Sequence, residues 1–291
     1  MMELTFYGVR GSYPVPGKHT AKYGGNTTCV SFTKEIDGTI QRIIIDCGTG
    51  AVTLGREIVA NYFAKKEDLN ITMLFTHLHP DHTQAFPFFA PNYFRECTIE
   101  LMGMRTLRKH VGMVLEQSML PPTFPIEYKD LKSTRKHKEL KDGMTIEKNG
   151  FVIDVMQAYA PSHPQQGALY YRITDPDSNK TVVCAWDLES KVGGDKAVIN
   201  FAKNCDILIH DTQYTDAEYK SHEMVVQGFG HSTYAMAIEN ATQAGVKDAL
   251  YCTHFNTNHS DKKLDEIQND LKGKHDFDVI LAKEEKTIKI K

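Results

Sequence analysis

Polar and apolar positions along this chain fall into short runs separated by turn-forming residues. Leu4 to Val9, Thr28 to Thr33 and Thr39 to Asp46 read as strands, and Ile71 to Phe75 is an apolar run of the length of a buried strand. From Ala51 to Phe63 the period becomes helical, directly after the turn Asp46-Cys47-Gly48-Thr49-Gly50. Arg105 to Met119 is predicted as another helix, ended by Pro121-Pro122. The basic run Lys132 to Lys138 reads as a solvated loop. Strand signals return at Phe151 to Met156, Ala168 to Ile173, Thr181 to Ala185 and Ile207 to Ile209. A helix over Thr233 to Ala244, a strand over Ala249 to Cys252 and a helix over Asp261 to Leu271 follow. Strands interleaved with helices predict an α/β arrangement with helices covering the sheet faces. No linker, low-complexity segment or tandem repeat interrupts the pattern, so a single domain over residues 1–291 is expected.

Composition narrows the classes. At 41% hydrophobic and 24% charged, the 291 residues suit a globular core. A net charge of −3 argues against a strongly electrostatic nucleic-acid binder, so DNA is not an expected partner; a small anionic substrate fits that balance. The six cysteines form no CxxC pair and most sit in or next to apolar runs, as buried thiols in a reducing cytoplasm would. Met1 to Phe6 lacks the basic segment and apolar core of a signal peptide, and no stretch is long enough to cross a bilayer. A cytoplasmic protein without membrane contact is expected.

The chemistry concentrates in His77-Leu78-His79-Pro80-Asp81-His82, just past the Ile71 to Phe75 strand. Neutral imidazoles and a carboxylate are ligands that borderline divalent metals prefer. His77 and His79 can share one metal, Asp81 and His82 a second, and Pro80 stiffens the turn. Other strand ends supply further ligands: His163 completes a three-imidazole set, Asp187 is placed to bridge both metals, and His254 joins Asp81 and His82. Asp46 is expected to orient a ligating His through its second nitrogen.

These residues resemble the pattern of the metallo-β-lactamase-fold hydrolase superfamily: a His-x-His-x-Asp-His turn, a third His, a bridging Asp and a final His. They fall in that order on His77, His79, Asp81, His82, His163, Asp187 and His254. The resemblance implies a four-layer αβ/βα sandwich with metals at the sheet edges between its halves. Gly230-His231-Ser232-Thr233 resembles the His-Ser-Thr motif of ribonuclease Z, and Leu208 to Thr212 its His-Glu-Ala-Thr stretch, with Asp211 standing where that family has Glu. Gly8 to Ser12 and Gly24 to Cys29 resemble the opening of ribonuclease Z-like and cyclic phosphodiesterase members. His231 also stands where Ser232 or Thr233 can cap a helix.

The chain departs from that pattern in two places. It has no Gly/Pro-rich insertion of the kind ribonuclease Z uses to grip tRNA. His254 is followed by Phe255-Asn256-Thr257 rather than a second His and an Asp-Pro, which leaves His259 outside the ligand set, either behind it or exposed. The expected activity is therefore a phosphodiesterase with two divalent ions per chain, Zn²⁺ first and Mn²⁺ or Fe²⁺ as alternatives. Its substrate is expected to be a small phosphodiester such as a cyclic nucleotide, attacked by a metal-bridged hydroxide. His231 is the expected general acid, Asp211 orients it, and Asp81 ligates metal and orients the attacking water. The alternatives are a ribonuclease Z-like enzyme acting on RNA 3′ ends, a lactonase or other carbon-ester hydrolase, and a metal-binding sensor or interaction protein. Relatives are commonly homodimers.

Overall fold

The computed structural model describes residues 1–158 and 167–291. Strands β1 (Met2–Gly8), β2 (Cys29–Ile36), β3 (Thr39–Ile45), β4 (Asn70–Leu74), β5 (Thr98–Gly103) and β6 (Thr134–Glu139) lie side by side in one sheet. The second sheet holds β7 (Thr145–Lys148), β8 (Phe151–Ala158), β9 (Ala168–Asp175), β10 (Lys180–Ala185), β11 (Ile207–Asp211), β12 (Ala249–Thr253) and β13 (Asp278–Leu281). The last strand, β14 (Thr287–Ile290), returns to the first sheet and pairs antiparallel with β1. Helices α1 (Ala51–Phe63), α2 (Pro80–Thr83), α3 (Val111–Ser118), α4 (Lys196–Phe201), α5 (Asp216–Tyr219), α6 (Tyr234–Ala244) and α7 (Asp261–Leu271) complete the chain.

The alternation of a strand explains the layers, because successive side chains point to opposite faces. Ile43 and Ile45 join Ile153, Leu169 and Tyr171 between the sheets, while Ile44 packs with Ala51, Leu54 and Ile58 of α1. In the second sheet Tyr171 and Ile173 face inward, whereas Ala168 and Tyr170 meet Val198 of α4. Helix α6 lies against β11 and β12, and α7 against β13. The result is the expected αβ/βα sandwich. Each wholly buried Ile or Leu contributes about 1.5–3 kcal/mol, so two sheets lined this way hold together without disulfides. All six cysteines are indeed buried thiols.

Two expectations are corrected. The helix predicted over Arg105 to Met119 starts only at Val111, because Leu107 and Arg108 take positive φ (46° and 67°) in a turn closed between Thr106 and Lys109. The basic run is not a loop: Thr134–Glu139 forms β6, pairing parallel with β5 at the sheet edge. Its Lys and Arg side chains suit an edge strand, where charge discourages pairing with another chain.

Topology also locates the site. Strands β3 to β6 run parallel to one another, as do β10 to β13. The C-terminal ends of β3 and β4 thus share one rim, as do those of β10, β11 and β12, and such rims are where α/β sheets bind ligands.

Candidate metal centre

Three of the predicted site residues follow a strand in the left-handed backbone region: Asp46 (φ 63°), Asp187 (φ 55°) and His254 (φ 60°). Such conformations cost on the order of 1 kcal/mol or more for a residue with a side chain. Here each is held by hydrogen bonds. The buried Asp46 carboxylate accepts from Thr76 N and Thr76 Oγ1, Trp186 Nε1 and His82 Nδ1, all at 2.8 Å. With Nδ1 donating to Asp46, His82 presents the lone pair of Nε2. This is the orienting duty expected of Asp46.

His82 Nε2 lies 3.1 Å from Asp187 Oδ2 and 3.3 Å from Asp81 Oδ2. His254 Nε2 lies 3.3 Å and 3.4 Å from the same two oxygens. Asp81, His82, Asp187 and His254 thus offer ligand atoms all within 4.8 Å of one another, each buried. His77 Nε2 stands 3.7 Å from the other Asp187 oxygen, Oδ1, and its ring is 4.4 Å from that of His79. Asp187 therefore faces His77 with one oxygen and His82 and His254 with the other. His163 lies outside the described residues.

Charge balance explains the ionisation states. Burial pushes His77 well below the usual imidazole range, as a ligand nitrogen requires. Burial opposes the Asp81 charge, yet neighbouring His82 and His254 hold its carboxyl well below the usual range. For His82, burial is outweighed by Asp187, Asp81 and Asp46, which raise it well above the usual value. A nitrogen facing carboxylates this way attracts a proton or a metal cation, and the two compete for it. The donor set fits divalent ions: the Nε2 atoms of His82 and His254 are buried and make no hydrogen bond of their own.

Beside this cluster sits the predicted acid. His231 Nδ1 bonds Asp211 Oδ2 at 2.8 Å, and the His231 and His254 rings stack with centroids 4.9 Å apart. Asp211 does more than pair with His231. It also accepts from the backbone N–H groups of Ser232, Gln213 and Asp187, each at 3.1 Å. One buried carboxylate thereby fixes both the His231 turn and the Asp187 turn. Thr233, not Ser232, caps α6, accepting from Met236 N.

Some supporting residues were not anticipated. Gln213 Oε1 lies 3.0 Å from His254 Nδ1 and orients that ring as Asp46 orients His82. Ser12 N donates to Asp81 Oδ2 at 2.9 Å, from a loop backed by Asn26 O, which accepts from Val9 N and Arg10 N. A Cβ on Gly11 would come within 2.4 Å of the His254 ring, so only glycine fits there. His259 is buried and bonds Glu218 at 2.8 Å, so it is not exposed. Contacts of His259 and Thr215 hold Glu218, against its burial, at about 2.

A family model, the β-lactamase superfamily domain, matches residues 41–255. The chain belongs to the metallo-β-lactamase superfamily. Ribonuclease Z from Brevibacillus brevis is 27% identical over 235 residues, covering 67% of this chain and 71% of that relative. In fold, this superfamily member resembles the metallo-β-lactamase fold protein YhfI from Bacillus subtilis (TM-score 0.65, 18% identity, 99% and 98% of the two chains). It also resembles yeast PDE1 (TM-score 0.66, 12% identity, 99% of both chains). Membership makes the protein a metal-dependent hydrolase. Among the described residues, no helix is long and apolar enough to cross a membrane.

Proposed function

We propose that this hydrolase cleaves phosphodiesters, with a small one such as a cyclic nucleotide as substrate. The observation that carries the reading is the Asp211–His231 pair beside the Asp81–His82–Asp187–His254 cluster: it comes within 4.8 Å of His254, but the Nδ1 of that ring is engaged by Gln213. A carbon ester or lactone asks little of a proton donor, whereas an alkoxide leaving from phosphorus needs one. In this reading His77, His79, His163 and Asp187 would hold one divalent ion, and Asp81, His82, His254 and Asp187 would hold another. When bound, such ions supply Lewis acidity toward phosphoryl oxygens and lower the pKa of water.

The protein's own residues do the rest. Asp46 and Gln213 keep His82 and His254 in one tautomer each, with Nε2 turned to the cluster. Asp211 holds His231 through Nδ1, so in the doubly protonated ring Nε2 is the nitrogen that gives its proton to the leaving oxygen. Asp81, steadied by Ser12 N, orients the attacking water. A sensor that merely keeps the fold has no use for this acid.

Small size is supported by the absence of any long projecting arm among the described residues. A second reading, cleavage at RNA 3′ ends, is favoured by the ribonuclease Z relatives. Purified protein loaded with Zn²⁺ or Mn²⁺ should hydrolyse a 3′,5′- or 2′,3′-cyclic nucleotide and leave precursor tRNA largely intact. Specific tRNA trailer cleavage with inert cyclic nucleotides would reverse the two readings.

A further inference from the structure

The 220–230 segment between α5 and the His231 turn has no regular secondary structure, yet it must deliver His231 to one position. Its anchoring comes from Glu189, two residues past Asp187. The Glu189 carboxylate accepts from Tyr219 Oη (2.7 Å) and Gly228 N (2.7 Å) through Oε1, and from Gly230 N (2.8 Å) through Oε2. Gly228 and Gly230 sit at φ 85° and 90°, conformations that let both amides turn toward one carboxylate. Neighbouring bonds run the same way: Ser232 Oγ donates to Leu188 O, and Ser190 N donates to Ser232 Oγ at 2.9 Å. The bridging-Asp turn and the acid-bearing turn are thus stitched together, and Glu189 adds a charged link to the 220–230 segment.

We infer that Glu189 is a positioning residue for His231: it clamps the 219–230 segment onto the Asp187 turn and so sets where the proton donor stands. Its three bonds reach Tyr219, Gly228 and Gly230, none of which belongs to the ligand cluster. The inference rests on the acid role proposed for His231. Met224, Val225 and Phe229 on the same segment are exposed (67%, 61% and 55%) and Val226 alone of the four is buried, so the segment leans on one apolar anchor besides the clamp.

Glu189→Gln tests this with the fold intact. An amide has one acceptor oxygen, so at least one of the three bonds must be lost; if Oε1 keeps Tyr219 and Gly228, the lost bond is Gly230's, next to His231. Loss of a charge-assisted clamp should speed hydrogen exchange at the Gly228 and Gly230 amides by about 10-fold or more. Metal content should stay at the wild-type level. With an alkoxide-leaving phosphodiester, kcat should fall at least ~10-fold, within the range general acids contribute, with KM little changed. With a p-nitrophenyl phosphodiester, kcat should change less than about 2-fold, because that leaving group needs no proton. Tyr219→Phe, which removes one bond, should show a weaker form of the pattern. Unchanged amide exchange would overturn the clamp. Equal losses on both substrates, or loss of metal, would overturn its link to His231. If the wild-type protein hydrolyses neither phosphodiester, the functional reading fails, and amide exchange still decides the clamp.

Discussion

Replacing Asp46 by Asn is a sharp test of how the site is built. Three of the four bonds to Asp46 converge on Oδ2, from Thr76 Oγ1, His82 Nδ1 and Trp186 Nε1, and one reaches Oδ1, from Thr76 N. The amide nitrogen does least harm at Oδ1. There it faces the Thr76 N–H and strands one buried donor, at about 1–3 kcal/mol. The other three bonds pass from charge-assisted to neutral, roughly halving each. Relief from burying a full charge offsets part of that loss, leaving a net destabilisation of about 2–4 kcal/mol. In the opposite orientation the amide nitrogen faces three donors, and His82 keeps a good bond only by moving its proton to Nε2, the ligand nitrogen. Either way metal affinity should drop about 10- to 100-fold, as for other residues that orient ligating histidines. Urea denaturation of the metal-free protein measures the first quantity, and competition with a chelating dye the second. A folded Asp46→Asn protein with wild-type metal affinity would refute the orienting role.

Asp187→Ala should lower bound metal from near two ions per chain, measured by inductively coupled plasma analysis, together with activity; full occupancy would exclude bridging. His231→Ala should keep both ions and slow an alkoxide-leaving phosphodiester about 10²-fold or more, with a much smaller effect on a p-nitrophenyl ester. Asp211→Asn should share that leaving-group signature and also destabilise the fold, because it disturbs a carboxylate that holds three backbone amides. Burial raises Glu284 to about 7, against its bonds from Asn26 and the nearby Arg10. Its neutral form is therefore favoured in the fold, and stability should fall as pH rises from about 4.5 through 7, by at most ~3 kcal/mol and by less where water reaches the group. Glu284→Gln should flatten that slope in thermal melts between pH 5 and 8; an unchanged slope would rule out Glu284 as its source.

Much of this was legible because the information is local. The helices Ala51–Phe63 and Asp261–Leu271 carry their period and their turn residues in the sequence itself. The candidate ligands stand at strand ends, which an apolar run announces: Thr253 closes β12 and His254 follows. The pairing of Asp211 with His231 also emerges at hydrogen-bond distance. What was not legible depends on partners distant in sequence. Strand β6 is so polar at its exposed edge that no alternation shows, and only β5 makes it a strand. The short β13 and β14 exist because β12 and β1 offer them free edges. Gln213 and Glu189 gain meaning only when His254, Gly228 and Gly230 are brought beside them from about 40 positions away.

Asp46, His77, His79, Asp81 and His82 come from the first half of the chain, and Asp187, Asp211, His231 and His254 from the second. Synthesis runs from the N-terminus, so a nascent chain carries the dense histidine turn long before its counterparts emerge. Until then that turn lacks Asp187 and His254, the donors that complete the cluster. The spacing of the donors is fixed only when the second sheet docks. Any preference of the cluster for one cation over another would therefore be set late, as a step in the birth of the folded molecule.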